Sequence, residues 1–337
     1  MRRRLNALAA GVWIVAAWAA AMGCGRSRNA EATAEASADA SANADASADA
    51  SADASADANA DAASRPGAWS LEPGASSLGG AVIKARAIGH TSIVFKVEME
   101  GGAKAAFKPA SRRGPLRYKG EIAARRLAVA LGVSNVPEVV FRSFKAAPFG
   151  GAKDASEMIV KDGVVKGALI PWIDGLEMIA LESAPLSGQW KTWLRKGEVV
   201  PDDEKELARE VSTLVAFDFI TANWDRWSGG NVGVDKTTRS LLYIDNDGAF
   251  FEVPPLDGLQ RNKKLLLGID KLSKRFVTHV RDLDDTAITK AIGEETAGVP
   301  LLSEKALQGV FERRKQLLAI IDAKIGDAGA DAVLVFP

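Results

Sequence analysis

The sequence predicts an α+β fold in which a strand-rich N-terminal lobe precedes a helix-rich C-terminal lobe. Three observations carry this expectation. Three short apolar segments, Ala81 to Ile88, Ile93 to Met99 and Ala103 to Lys108, follow one another with separators as brief as Glu100-Gly101-Gly102. Joins of that length permit only antiparallel neighbours, so the three form a meander. Glu204 to Ala222 then carries the strongest helical pattern. It starts behind Pro201-Asp202-Asp203, crowds acids into its first turn and sets Leu207, Val211, Leu214 and Val215 on one face. The end of the chain is mostly helical and closes on a helix from Glu304 to Ile325.

The elements between follow from local chemistry. Tyr118 to Leu131 sets Ile122, Leu127 and Leu131 among alanines and charges, with Gly132 just past its end, which reads as an amphipathic helix with a glycine cap. Pro137 to Phe144 and Ser156 to Val160 read as strands, and the apolar stretch from Gly167 breaks at Pro171 into an irregular linker that reaches Gly175. Val232-Gly233-Val234 and Leu241 to Ile244 form a hairpin around Asp235 to Ser240.

The chain of 337 residues, 47% hydrophobic and 26% charged, opens very differently from this globular material. Arg2, Arg3 and Arg4, the apolar run Leu8 to Met22 and the small residues before Cys24 describe an export signal over residues 1–23. Its end resembles the lipobox of bacterial lipoproteins, with Ala21 where leucine is commonest. That resemblance implies an exported protein attached to a membrane through a lipidated Cys24. Gly25, in place of the aspartate associated with inner-membrane retention, points to the outer membrane. Cys24 is the only cysteine, so no disulfide is expected. Residues 24–64 are built on Ala-Ser-Ala-Asp, offer little to bury and read as a solvated spacer. The boundary falls at Arg65-Pro66-Gly67. The formal net charge is +0 and no basic stripe interleaves with aromatics, which argues against a nucleic-acid partner.

One constellation carries chemistry. Asp225 follows the long helix in a loop containing Gly229, Gly230 and Asn231, and the hairpin returns Asp245-Asn246-Asp247 beside it. Carboxylates brought together by a helix end and a strand end can hold a hard cation, and Asn231 adds a neutral oxygen. Magnesium or manganese suits such a site. Zinc does not, because His90 and His279 are the only imidazoles. Lys108, at the end of the third strand, supplies a cation for phosphate oxygens, and Glu121, early in the following helix, can pair with it.

The order Phe107-Lys108-Pro109, Gly120-Glu121-Ile-Ala-Ala, Val136-Pro137-Glu-Val-Val140, Phe217-Asp-Phe-Ile-x-x-Asn223-x-Asp225-Arg226 and Ile244-Asp-Asn246 resembles the secretory-pathway kinases. These are the Golgi casein-kinase and four-jointed group, related to phosphatidylinositol 3-/4-kinase-like enzymes and bacterial persistence-toxin kinases. The resemblance implies a two-lobed protein-kinase-like fold, with residues 65–170 as the N-lobe and 171–337 as the C-lobe. It implies ATP with Mg2+ or Mn2+ as cofactors and a hydroxyl of a protein or glycan as acceptor. By the same token Lys108 and Glu121 are the ATP-orienting pair, Asp225 the catalytic carboxylate, Asp245 the principal metal ligand and Ile170 to Trp172 the hinge beside adenine. Two positions depart from the pattern: Trp227 stands where a histidine commonly follows Asp-Arg, and Asn231 lies six residues after Asp225 where protein kinases use five. They leave two alternatives open, an inactive kinase fold displayed as a binding module and a kinase acting on a lipid headgroup.

Overall fold

The structure, a computed structural model, describes residues 78–89 and 92–337. The export signal, Cys24, the spacer and the boundary at Arg65 lie outside the described residues, as do His90 and Thr91.

Val82–Ala87 (β1), Phe95–Met99 (β2) and Lys104–Pro109 (β3) form the expected antiparallel meander. Along β2 the side chains of Phe95, Val97 and Met99 are buried while Lys96 and Glu98 are half-buried, the period of two that a sheet with one covered face requires. Arg117–Ala130 (α1) follows and ends in a Schellman motif. Gly132 takes φ +65°, its N–H donates to the Val129 carbonyl, and Val133 N–H donates to the Ala128 carbonyl at 2.8 Å.

Val140–Lys145 (β4), Val160–Lys161 (β5) and Val164–Pro171 (β6) complete the sheet. Its order is β1-β2-β3-β6-β4, with β5 on β6 and every pairing antiparallel. The segment expected to be a strand from Ser156 shrinks to β5, because Ala155–Glu157 turn as a 3-10 helix first. β6 starts at Val164, three residues ahead of the expected Gly167, and stops at Pro171 as its missing N–H dictates. One face of this sheet buries an aromatic cluster in which Phe107 meets Phe144 at 5.1 Å and Phe149 at 5.4 Å.

The C-terminal part opens with Leu176–Met178 (β7), Leu186–Trp193 (α2) and Lys205–Thr221 (α3). Val232–Asp235 (β8) and Leu241–Tyr243 (β9) form the hairpin, and β7 pairs with β8 to make a small three-stranded sheet. The linker from Pro171 to Gly175 is irregular as expected, and the unexpected β7 begins just past it. The remaining elements are Leu256–Leu267 (α4), Lys274–Asp282 (α5), Asp285–Ile292 (α6), the two-stranded ribbon Glu294–Thr296 (β10) and Val299–Pro300 (β11), Glu304–Ala328 (α7) and Ala330–Val333 (α8).

α3 is the axis of this lobe. Every residue from Ala208 to Thr221 is buried, not one face alone, because α4 and α7 pack against it while β9 covers another side. Its polar residues are therefore satisfied internally. Glu210 accepts from Asn135 Nδ2 at 2.9 Å and from the Leu241 N–H at 2.7 Å, tying the helix to β9.

Candidate active site

β3 fixes Lys108 opposite Ala168 of β6 and turns its ammonium inward, where it is buried. It meets three carboxylates there. Lys108 Nζ donates to Glu121 of α1 and, at 2.5 Å, to Asp245 Oδ1 just past β9, and lies 3.5 Å from Asp247 Oδ2. The pairing expected between Lys108 and Glu121 is present, and Asp247 joins it. Arg117, at the start of α1, donates to the other oxygen of Asp247.

Two local features bring these groups together. Asp245 adopts φ +56°, a left-handed conformation that aspartate tolerates better than most residues, so the chain turns sharply as it leaves β9. At Gly120 a Cβ would stand 2.8 Å from the Asn246 carbonyl oxygen and 3.2 Å from that of Ala249. Only a glycine lets α1 approach the 245–249 segment closely enough for Glu121 to share its carboxylates.

Asp225 is reached from α3. Ala222 ends the helix at φ +52°, and Asn223 N–H donates back to the Asp218 carbonyl at 3.1 Å, which swings the following loop toward the metal-side segment. Gly248 packs directly on Asn223 and Asp225, where a Cβ would come within 3.0 Å of Asn223 Oδ1 and Asp225 Cβ. Asp225 is half-buried, and among the described residues no hydrogen bond or ion pair engages its carboxylate. Its neighbour Arg226 does not pair with it. Arg226 instead reaches Asp218, Asn246 Oδ1 and the carbonyls of Asn231 and Ile244, tying the α3 end, the loop and the strand end into one unit.

The other predicted residues sit around this centre. Asn231 Nδ2 donates to the Asp225 carbonyl at 2.8 Å, so its amide braces the loop from within. Ile170 lies opposite Ala106 at the far end of β6, and Trp172 N–H donates to the Lys104 carbonyl at 3.0 Å, continuing that edge. The Lys96 ammonium sits 3.6 Å from the centre of the Trp172 ring and covers one of its faces. Trp227 packs into the core beside Trp190 at 5.8 Å.

Sequence reasoning did not assign Asp247 or Arg117 a role, and gave Glu121 only the part of a lysine partner. The doubled acid in Asp245-Asn246-Asp247 was the available signal for the first.

The electrostatics follow from burial and crowding. Burial alone would push the Lys108 ammonium down, but Asp245, Glu121 and Asp247 together hold it well above the ordinary lysine range. Burial opposes ionisation of Asp245, and the cations Lys108, Arg117 and Arg226 overcome it and hold its carboxyl below the usual range. Asp247 goes the other way. Burial, backed by the charges of Asp245 and Glu121, pushes it up to about 6 despite Lys108 and Arg117.

Glu121, Asp245 and Asp247 offer oxygens that all lie within 4.8 Å of one another. Three carboxylates against two cations leave this buried cluster one negative charge in excess. An all-oxygen donor set with surplus negative charge fits a hard divalent cation such as magnesium or manganese. No imidazole among the described residues joins it, since His279 lies on α5 against Gly132.

No protein-family model matches the sequence, and no curated protein matches it either. Solved structures do. The Golgi casein kinase, in a crystal structure with manganese and ADP bound, superposes with a TM-score of 0.58 at 14% identity over 76% of this chain and 76% of its own. Hydra Fam20, solved with a sugar, superposes with a TM-score of 0.55 at 15% identity over 76% of this chain and 88% of its own. The chain has the two-lobed, kinase-like α+β fold of these atypical secretory-pathway kinases.

Proposed function

We propose that the protein is an ATP-dependent phosphotransferase that passes the γ-phosphate to a hydroxyl of an extracytoplasmic protein or glycan, using Mg2+ or Mn2+. The observation that carries this reading is Lys108. It reaches Glu121 in its own lobe and Asp245 in the other, while Asp225 keeps a carboxylate that no hydrogen bond or ion pair engages among the described residues. The manganese and ADP of the Golgi casein kinase support the same cofactors here.

Phosphoryl transfer asks the protein for positioning and charge stabilisation more than for covalent chemistry. Glu121, Asp245 and Asp247 would hold the divalent cation, which supplies neutralisation of phosphate charge when bound. Lys108 orients the phosphates from the N-lobe side, and Ile170 to Trp172 form the edge against which adenine rests. Asp225 accepts the proton of the attacking hydroxyl. The new bond joins the acceptor oxygen to the γ-phosphorus, the bond from that phosphorus to the β–γ bridging oxygen breaks, and ADP leaves with the electron pair. Asn231 and Arg226 keep the loop in place.

Attachment of this domain to a membrane through Cys24 belongs to the same proposal. No helix among the described residues is long and apolar enough to cross a membrane.

The deciding test is calorimetric titration of the purified protein with ATP, with and without Mn2+, followed by transfer assays. Metal-dependent ATP binding is expected, lost in Asp245→Ala. Asp225→Asn should keep binding while losing transfer by a factor of about 100 or more. Absence of nucleotide binding in the wild type refutes the proposal. Binding without any transfer sensitive to Asp225 favours the inactive binding module, for which the burial of Trp227 after Asp225-Arg226 is the favouring observation.

A further inference from the structure

We propose that Arg117 is a switching residue: it holds Asp247 until a divalent cation takes its place there, and then moves onto the phosphates of the nucleotide. The inference rests on the phosphotransferase reading and deepens it, naming a phosphate-binding cation and an order of assembly.

The geometry around Asp247 is the first reason. Its side chain is buried and both oxygens are taken, one by Arg117 and the other by proximity to Lys108 at 3.5 Å. A dication shared with Glu121 and Asp245 must use one of those oxygens, and a guanidinium bonded to the same carboxylate would then face a double positive charge at contact distance. Lys108, bonded to both Glu121 and Asp245, is held from two sides while the dication shares those carboxylates. Among the described residues Arg117 has Asp247 alone as its side-chain partner, so it is the cation that gives way.

The second reason is where Arg117 stands. Its side chain is 26% exposed and lines a narrow recess, with room for about one water, whose polar lining is Ser92, Lys108, Ser111, Arg113 and Asp247 and which Ile93, Pro109 and Tyr118 also close, between the β1–β2 join and the start of α1. Lys108, Arg113 and Arg117 line that recess, and Arg113 is already paired with Asp154 at 3.2 Å. The one carboxylate of the recess, Asp247, is the group the metal would claim. Arg117 Nε is buried there without any hydrogen-bond partner, a donor left over by the present arrangement. A guanidinium released from Asp247 has both its fork and this leftover donor to offer to the oxygens of a bound nucleotide, and phosphate matches that planar geometry better than any uncharged group. Arg117 and Lys108 line the same recess, so the released guanidinium stands next to the lysine that orients the nucleotide.

The predicted consequences have opposite signs, which separates them from a merely structural role. In the absence of nucleotide, Arg117 competes with the metal, so Arg117→Met should bind Mn2+ more tightly than wild type, by about threefold to tenfold, the range for loss of one charge-assisted hydrogen bond at a partly exposed site. In saturating Mn2+, the same variant should bind ATP at least about tenfold more weakly. Arg117→Lys keeps the charge and loses the fork, so its Mn2+ affinity should stay near wild type while ATP binding falls.

The test is titration of the full-length protein with Mn2+ alone, read by the electron paramagnetic resonance signal of free Mn2+, and then calorimetry with ATP at saturating Mn2+. Tighter Mn2+ and weaker ATP in Arg117→Met establish the switch. Unchanged or weaker Mn2+ binding overturns it, even if ATP binding falls. Should Arg117→Met fail to fold, Arg117→Lys decides: unaltered ATP affinity in that variant overturns the proposal. A wild type that binds Mn2+ without ever binding ATP refutes the phosphotransferase reading itself, and this inference with it.

Discussion

Arg226 pairs with Asp218, eight residues back on α3, and not with the adjacent Asp225: Nε lies 3.1 Å from Asp218 Oδ2, with the two side chains 0% and 1% exposed. The same guanidinium donates to Asn231, Ile244 and Asn246. One side chain therefore fixes the α3 end, the Asp225 loop and the Asp245 strand end at once, and leaves the Asp225 carboxylate unengaged.

Removing that side chain strands a buried acid and three acceptors. Arg226→Met should lower stability by about 3–5 kcal/mol, the range for breaking a buried pair from one side. Asp218→Asn retains an acceptor for Nε and should cost less, about 1–2 kcal/mol. Urea denaturation of the two variants checks the order, and equal losses would contradict it.

The pair also gives a pH dependence. Burial raises the Asp218 carboxyl from 3.8 to about 6, and Arg226 pulls it back only in part. With the folded value above the unfolded one, the folded protein holds a proton that the unfolded chain has released. The stabilising contribution is complete below about pH 4 and disappears as pH rises through about 6, because the unfolded state then binds fewer protons than the native state. Measured between pH 4 and 7, wild type should lose up to ~3 kcal/mol relative to Asp218→Asn. A difference that stays constant with pH would show that Asp218 remains ionised in the folded protein.

Much of this site was legible because its groups sit at element ends, where sequence order and spacing are informative. Lys108 closes a strand with an alternating pattern, and Glu121 lies one turn into the next helix, so their meeting needs only a sheet and a helix in the usual sequence. The partner of Arg226 was not legible. Asp225 stands beside it in the chain, and only the left-handed turn at Ala222 sends the loop back along α3 to Asp218. Asp247 was hidden for a similar reason. Asp-Asn-Asp-Gly reads as a turn, and which acids face inward depends on φ at Asp245 and on the gap that Gly120 leaves. The strand β7 was invisible because Leu-Glu-Met is short and pairs with a segment more than fifty residues ahead. The all-round burial of α3 depends on partners such as Asn135, which no periodicity announces.

Gly120 tests the close approach of α1 directly. In an open helix Gly→Ala would gain about 1 kcal/mol. Here the new Cβ meets the backbone carbonyls of Asn246 and Ala249, which cannot rotate away as a side chain would. Gly120→Ala should therefore destabilise the protein by about 1–3 kcal/mol, the usual cost of overpacking. It should also weaken Mn2+ binding, since the 245–249 segment is pushed from Glu121. Thermal denaturation and Mn2+ titration measure both, and a stabilised variant would disprove the contact.

Lys108→Met addresses the charge balance of the centre. The wild-type cluster sets Lys108 and Arg117 against Glu121, Asp245 and Asp247, so the variant leaves Glu121 and Asp245 without their ion-pair partner and Arg117 bonded to Asp247 alone. In chelator its melting temperature should fall by roughly 10 °C, from a loss of about 3–5 kcal/mol on breaking a buried pair. Bound Mn2+ returns positive charge to the same oxygens and stabilises the folded state by mass action. The rise in melting temperature on adding Mn2+ should accordingly be larger in the variant than in wild type, even though ATP binding is lost. An equal or smaller rise would mean that Lys108 and the divalent cation do not share the carboxylates of Glu121 and Asp245, and the assignment of those residues as metal ligands would fall.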